Sequence, residues 1–429
     1  MKTKVLNLKN NIRLIYTYVK DVNGVDVQLC FKAGALNDPK GKSGLAHFCE
    51  HALSSAFSTE KHSRNERRYL KNKYTYSNAS TSASYVKFFL QVAHDKFEEA
   101  FDLMTESFYS LKYIPDEFES ERKIIYDEIL TRQKTNEREF YNIFYHKIHK
   151  EPEYQNIQTS AAGVVDTVKN ITIEDIRKYI EQYFTQKNLT IVISGKITLR
   201  NVLKNISKYI YSRIPLGEKL GFDFENYKGF KSPCFIKSPS VEEGKSMFVT
   251  NYAYDKCEKF SNRKQFFIES ILNACLHEKF FEFYRTNNNL CYNCYAGLYD
   301  DNIYKLCEFT VLCNDNNIEE VTNQFKNFLT FFEKEYNIEL FNKQKERKLS
   351  QVNFDLQSLS RISTSRFGEL NYYNDICNND NKIKYDINSV TFEQTKDLWN
   401  KIIKVKPYLF LITSKEEFDS FDYKNFSKK

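Results

Sequence analysis

The sequence predicts an α+β protein built from two homologous half-domains. Three observations carry that expectation. The chain has 429 residues, long for one core and suited to two domains of about 200 residues each. Gly and Pro are scarce, at 12 and 7, while aromatics reach 16%, so regular helices and strands with short connections are favoured over disorder. Residues 171–195 align without a gap with 390–414, pairing Thr172 with Thr391, Glu174 with Glu393 and Lys187 with Lys406. Each copy opens on a Thr-x-Glu helix start and ends in an apolar strand; so few identities also fit chance. The expected division is 1–214 and 234–429 with a linker at 215–233, where Gly217, Gly221 and Gly229 cluster between Pro215 and Pro233.

The elements follow in order. Ile12 to Val19 is rich in β-branched and aromatic residues, Asn23-Gly24 marks a turn, and Val25 to Phe31 alternates apolar with polar, which reads as a strand pair. A helix is expected over Leu45, Ala46, Phe48, Ala52 and Leu53, with Ser43 as its N-cap. Residues 65–73 read as a short charged helix, and 74–92 as a strand region. Phe97, Ala100, Phe101, Met104 and Phe108 recur at helical spacing over 96–111. Pro115 starts a further helix carrying Glu117, Glu119, Glu121 and Glu128. A helix over 172–184 precedes a buried strand at 189–195.

The chemistry concentrates in Gly44-Leu45-Ala46-His47-Phe48-Cys49-Glu50-His51. His47 and His51 are four apart, so a helix puts both imidazoles on one face, one turn apart. Glu50 can point into the same space. Two imidazoles and a carboxylate form an incomplete zinc ligand set, or a ligand pair with a general base; a surface cluster is the plain alternative. The order His-x-x-Glu-His is the inverzincin signature.

With its flanks, Lys32 to Ala35 and Pro39 to Leu53, this stretch resembles the M16 family of zinc metallopeptidases, the group of pitrilysin, insulysin and the mitochondrial processing peptidase. Cys49 stands where that family has Leu, and Ser54-Ser55-Ala56 replaces a Phe-x-Gly run. The resemblance extends over most of the chain. It implies two half-domains, each a mostly antiparallel sheet with helices packed on one face, the metallohydrolase fold of that family. It implies one Zn²⁺ per chain held by His47, His51 and Glu128, with Glu50 as general base. Glu128 lies in the segment Glu121 to Ile129, and Glu121, two turns back, is implied to orient a ligand; an acidic solvated face is the other reading. Asp127 points about 100° away around the helix.

Asn78-Ala79-Ser80-Thr81 resembles the family's Asn-Ala-x-Thr strand, which implies that Asn78 and Ala79 pair with substrate backbone; a plain core strand fits as well. Arg285 and Tyr292, seven apart with Leu290 between, match the family's substrate-binding pair, implied to hold the reacting carbonyl; Asn289 replaces a Gly there. At the offset of the aligned segments, His47, Glu50 and His51 fall on Phe266, Glu269 and Ser270, so one metal site is expected. His277-Glu278 makes no second motif, because position 281 is Phe. His146 and His149 read as surface residues.

The resemblance therefore implies a zinc endopeptidase acting on peptides or short unfolded segments inside a clamshell chamber. Four half-domains make such a chamber, so two chains are needed. A homodimer is expected, with Arg285 and Tyr292 of one subunit serving the zinc of the other; a heterodimer with another M16-like subunit is the alternative. A non-catalytic scaffold, or a peptide-binding subunit of a heterodimeric protease, is the rival function, and a redox role for Cys291 and Cys294 a further one.

The net charge of +7 arises from 63 basic and 56 acidic residues spread along the chain, with no basic run, so no nucleic-acid partner is expected. Residues 1–11 hold no signal-peptide stretch, and no window of about 18 apolar residues suits a membrane span, so a cytoplasmic location without membrane contact is expected. The ten cysteines then read as reduced and mostly buried.

Overall fold

The computed structural model describes residues 2–73, 76–133, 135–150, 161–218, 229–256, 262–300, 304–373, 376, 380–416 and 418. The chain forms two compact units. The first combines Met1–Arg132, Glu151–Lys228 and Asp355–Asn379; the second combines Gln133–Lys150, Gly229–Phe354 and Asp380–Lys429. The sequence expectation has two consecutive halves, whereas 133–150 and 355–379 each belong to the unit built mainly by the other half.

The first unit is a six-stranded sheet with the order β1-β2-β6-β3-β5-β4. Its strands are β1 (Lys2–Asn7), β2 (Arg13–Tyr18), β3 (Gly24–Phe31), β4 (Tyr76–Thr81), β5 (Val86–Ala93) and β6 (Leu189–Gly195). Only β2 and β6 pair in parallel; the other neighbours are antiparallel. Leu14, Val27, Leu29, Leu90, Ile191 and Ile193 point to one face. There they join residues of α1 (Leu45–His51), α3 (Phe97–Ser110), α4 (Pro115–Gln133) and the helix Ile173–Tyr183 in one core. The short helix α2 (Arg64–Lys71) precedes β4.

To the helical layer expected from sequence, the structure adds the helix Leu359–Tyr373 on the opposite face. Ile15, Cys30 and Val192 pack there against Phe367 and Leu370. This explains why β3 alternates in sequence yet is buried along nearly its whole length. Its polar residues face that helix: Asp26 and Gln28 are buried, and Gln28 Nε2 donates to Asp26 Oδ1 and Thr364 Oγ1, both at 3.2 Å.

The second unit repeats the plan. Its strands β7 (Phe235–Ser238), β8 (Lys245–Lys256), β9 (Asn293–Asp300), β10 (Tyr304–Asn314) and β11 (Tyr408–Ile412) run in the order β7-β11-β8-β10-β9. That is the inner order of the first sheet without β1. The strand after the repeated helix, β6 or β11, pairs in parallel with one neighbour and antiparallel with the other in both units. Thr172 and Thr391 each cap the preceding helix, accepting from Asp175 N and Gln394 N. The faint sequence repeat is thus a repeat of structure.

Helix α5 (Asn136–Ile148) belongs to the second unit, and Phe140 and Phe144 of it pack on Phe410 of β11. His149, expected at the surface, is instead fully buried, its ring edge-on to Phe230 at 5.0 Å. The side chain of His146 lies outside the described residues. No helix of the described residues is long and apolar enough to cross a membrane.

Candidate metal centre

Helix α1 begins differently from the Ser43 cap expected. Gly44 takes φ 96°, a left-handed conformation, and a Cβ there would meet Ala162 O at 2.4 Å, so only glycine fits. The cap comes from Asp38, whose carboxylate accepts from Gly44 N at 2.7 Å and Ala46 N at 2.8 Å. The helix is buried up to Glu50 and runs directly into a π turn at Ala52–Ala56.

His47 and His51 lie with ring centroids 4.5 Å apart and Nε2 atoms 3.2 Å apart. Glu128, from α4, brings Oε2 to 3.8 Å from His47 Nε2 and 3.7 Å from His51 Nε2. These three offer ligand atoms all within 4.8 Å of one another, a combination met nowhere else among the described residues. The donor set fits zinc: ligand atoms about 2.0–2.1 Å from a tetrahedral ion stand roughly 3.3 Å apart. Asp127 is exposed, off this face.

Glu121 fixes the imidazole of His51. Its Oε1 lies 2.7 Å from His51 Nδ1, so Nδ1–H donates and Nε2 keeps its lone pair for the centre. Burial pushes the Glu121 carboxyl up, but the His51 hydrogen bond and the Arg64 and Arg68 guanidiniums outweigh it and hold it below the usual range. Arg64 contacts Glu121 Oε2 directly, and Arg68 reaches it at 3.6 Å. Sequence reasoning missed these two arginines. Part of their signal was available: Arg68 lies on the helix expected over 65–73, but Arg64 falls one residue before it, and the observed helix starts at Arg64.

Glu50 is buried and accepts from Thr81 Oγ1 at 2.6 Å. Burial pushes its carboxyl up; Thr81 and His51 pull it back in part. A raised carboxyl is suited to proton transfer near neutrality. Thr81 ends the strand segment quoted from the sequence, but its link to Glu50 was not expected. Cys49 points away, fully buried, its Sγ 3.8 Å from Ile176 O.

Asn78 and Ala79 lie on the edge strand β4, paired with Phe89 and Phe88 of β5. Asn78 is exposed, and its Oδ1 accepts from Ala79 N at 2.9 Å. Arg285 and Tyr292 belong to the second unit. Both are exposed, and the guanidinium lies 5.6 Å from the Tyr292 ring centroid. Asn289 adopts φ 50°, the left-handed conformation for which the sequence departure from Gly is tolerable. Cys291 and Cys294 are buried free thiols.

The second unit holds the counterpart of α1. Helix Arg263–Phe281 also runs into a π turn, Glu282–Asn287. Counted back from that turn, His277, Phe280 and Phe281 occupy the places of His47, Glu50 and His51. The gapless offset, which had given Phe266, Glu269 and Ser270, fails here because this helix has 19 residues against 7.

The comparisons agree with this division. The family profile described as insulinase (peptidase family M16) matches residues 15–155, and that of the peptidase M16 inactive domain matches 170–348. The chain belongs to the M16 peptidase family. The zinc protease PqqE of Helicobacter pylori is 26% identical over 219 residues, 51% of this chain and 49% of that protein. The insulin-degrading enzyme of Drosophila melanogaster is 24% identical over 242 residues, 56% of this chain and 23% of that enzyme. The chain thus spans about half or less of these curated relatives. The crystal structure of a protease from Helicobacter pylori superposes with a TM-score of 0.80 at 19% identity, covering 96% of this chain and 99% of that one, a likeness of fold.

Proposed function

We propose that this chain is a zinc-dependent endopeptidase that cleaves peptides or short unfolded segments. The observation that carries the reading is the meeting of His47, His51 and Glu128 beside a buried Glu50. Those three residues would hold one zinc ion per chain. Bound there, zinc would supply a Lewis acid and lower the pKa of a water toward about 7. Glu50 takes the proton of the attacking water and passes it to the leaving amine. Thr81 orients that carboxylate, and Glu121 orients His51. Asn78 and Ala79 offer edge-strand backbone to an extended substrate, a mode that reads main chain and tolerates many side chains.

Arg285 and Tyr292 are assigned to the carbonyl of the substrate and the developing oxyanion, supplied to the zinc of one subunit by the other in a homodimer. Their contact with each other supports action as a pair. Mixing Glu50→Gln with Arg285→Ala chains tests the sharing. Each variant alone should be poorly active, and the mixture should regain activity toward about half per dimer, as independent sites require. No recovery despite subunit exchange would remove the shared site. A scaffold role, or a partnership with a different M16-like subunit, remains the competing reading and is supported by the inactive-domain match of the second half. A cytoplasmic compartment is proposed from the free thiols of the described cysteines, and fractionation of cells tests it.

A further inference from the structure

A small pocket lies in the first unit, lined in part by Leu53 and Ser54, which follow closely on His51 in sequence. It lies between the π turn after α1, helix α2 and the edge strand β4, and has a volume of about 40 Å³. Leu53, Leu103 and Met104 form its apolar wall; Arg67 and Lys71 form the basic side; no acidic residue lines it. The two cations differ in what they do. Arg67 is buried and spent on backbone, donating to the carbonyls of Phe57, Leu53 at 2.9 Å and Ser54 at 3.1 Å. Lys71 is half-buried, and no hydrogen bond or ion pair ties its ammonium to another described residue. Arg67 and Arg68 repel it, and Glu50 is the carboxylate that attracts it.

A half-buried ammonium crowded by two guanidiniums costs stability, which a protein keeps where a ligand relieves it. The ligand the pocket asks for is an anion. The pocket is small but has room for more than one water, which suits a short polar side chain. The pocket also has an address on the substrate. Thr81 touches Glu50, whereas Ser77 and Asn78 border the pocket, about 10–13 Å back along the strand. A peptide lying antiparallel to β4, as β5 does, reaches the pocket on the C-terminal side of the scissile bond, within about four residues.

We propose that Lys71 is a specificity-determining residue, receiving the carboxylate of a short acidic side chain, Asp before Glu, downstream of the scissile bond. The proposal rests on the peptidase reading. The test uses the zinc-loaded full chain and peptides that differ only in Asp, Asn or Lys at each downstream position. At one position Asp should be favoured over Asn by about 10-fold in kcat/KM, mainly through KM, as one charge-assisted contact gives. Lys71→Met should erase that preference and Lys71→Glu should turn it toward Lys, with zinc content unchanged and the unfolding midpoint of Lys71→Met no lower than that of wild type. Cleavage without any preference for Asp, or a preference that survives Lys71→Met, overturns the proposal. A binding arm separates it from the peptidase reading. Fluorescence anisotropy of labelled peptides on Glu50→Gln should show the Asp peptide bound about 10-fold tighter than its Asn twin, and equally when Lys71→Met is added. Absence of all cleavage would remove the peptidase reading, and equal affinities in this arm would remove the role of Lys71.

Discussion

In the first unit, α1 and the edge strand β4 place two imidazoles and a carboxylate at the helix end, with Thr81 holding the carboxylate. In the second unit, the helix Arg263–Phe281 and the edge strand β9 form the corresponding corner. There Phe280 is fully buried against Phe309 at 5.3 Å, Phe328 at 4.8 Å and Tyr284 at 4.7 Å. His277 survives alone, its ring 5.5 Å from Tyr295, with burial holding its imidazole below the ordinary value. One scaffold thus carries a cluster of metal-ligand type in one copy and a packed aromatic corner in the other. The difference lies in a few side chains, which is why fold alone does not assign activity.

That contrast can be broken by substitution. Phe280→Ala should destabilise the second unit by about 3–5 kcal/mol, as deletion of a buried ring does, while Glu50→Ala, at the matching place, should leave the urea midpoint nearly unchanged. Equal losses at both positions would dissolve the distinction. The units should also differ in acid. Burial holds the His149 imidazole down at about 4, so it must stay neutral in the fold. A depressed pKa gives stability that is whole above about 6.5, the value in the unfolded chain, and is lost as pH falls toward 4. Unfolding curves for wild type and His149→Phe should therefore diverge between pH 7 and 5, with a relative loss of about 1–2 kcal/mol in wild type; parallel curves would contradict the assignment.

Smaller effects sharpen the picture of the first unit. Glu121→Gln should weaken zinc affinity by roughly 10–100-fold, as loss of a ligand's partner does, read by competition with a chromogenic chelator. Cys49→Leu should change activity by less than a few-fold, because its thiol lies in the core. A zinc–sulfur distance in X-ray absorption would reverse that conclusion.

Much of this was legible locally. The imidazole pair follows from a spacing of four on a helix, whereas Glu121 and Glu128 come from the resemblance of their segment to the M16 family. The repeated helix–strand pairs announce themselves by a capping threonine and an apolar run. What stayed hidden depends on distant chain. Asp38 replaces Ser43 as cap because the loop folds back on the helix start. Thr81 reaches Glu50 only once β4 has docked. The polar face of β3 looks solvent-exposed until residues 359–373 cover it. His149 reads as a surface residue because its partner, Phe230, lies 81 positions further on.

The most direct test joins metal content to activity in a single variant, Glu50→Gln. Purified wild type should carry about one zinc per chain and cleave peptides in a chelator-sensitive way. Glu50→Gln should retain the metal, since Glu50 is not among the three ligands, and lose cleavage by about 10²–10⁴-fold, the usual weight of a general base. Full cleavage by Glu50→Gln would contradict the assignment of the base, and a wild-type protein that binds no zinc would contradict the centre itself.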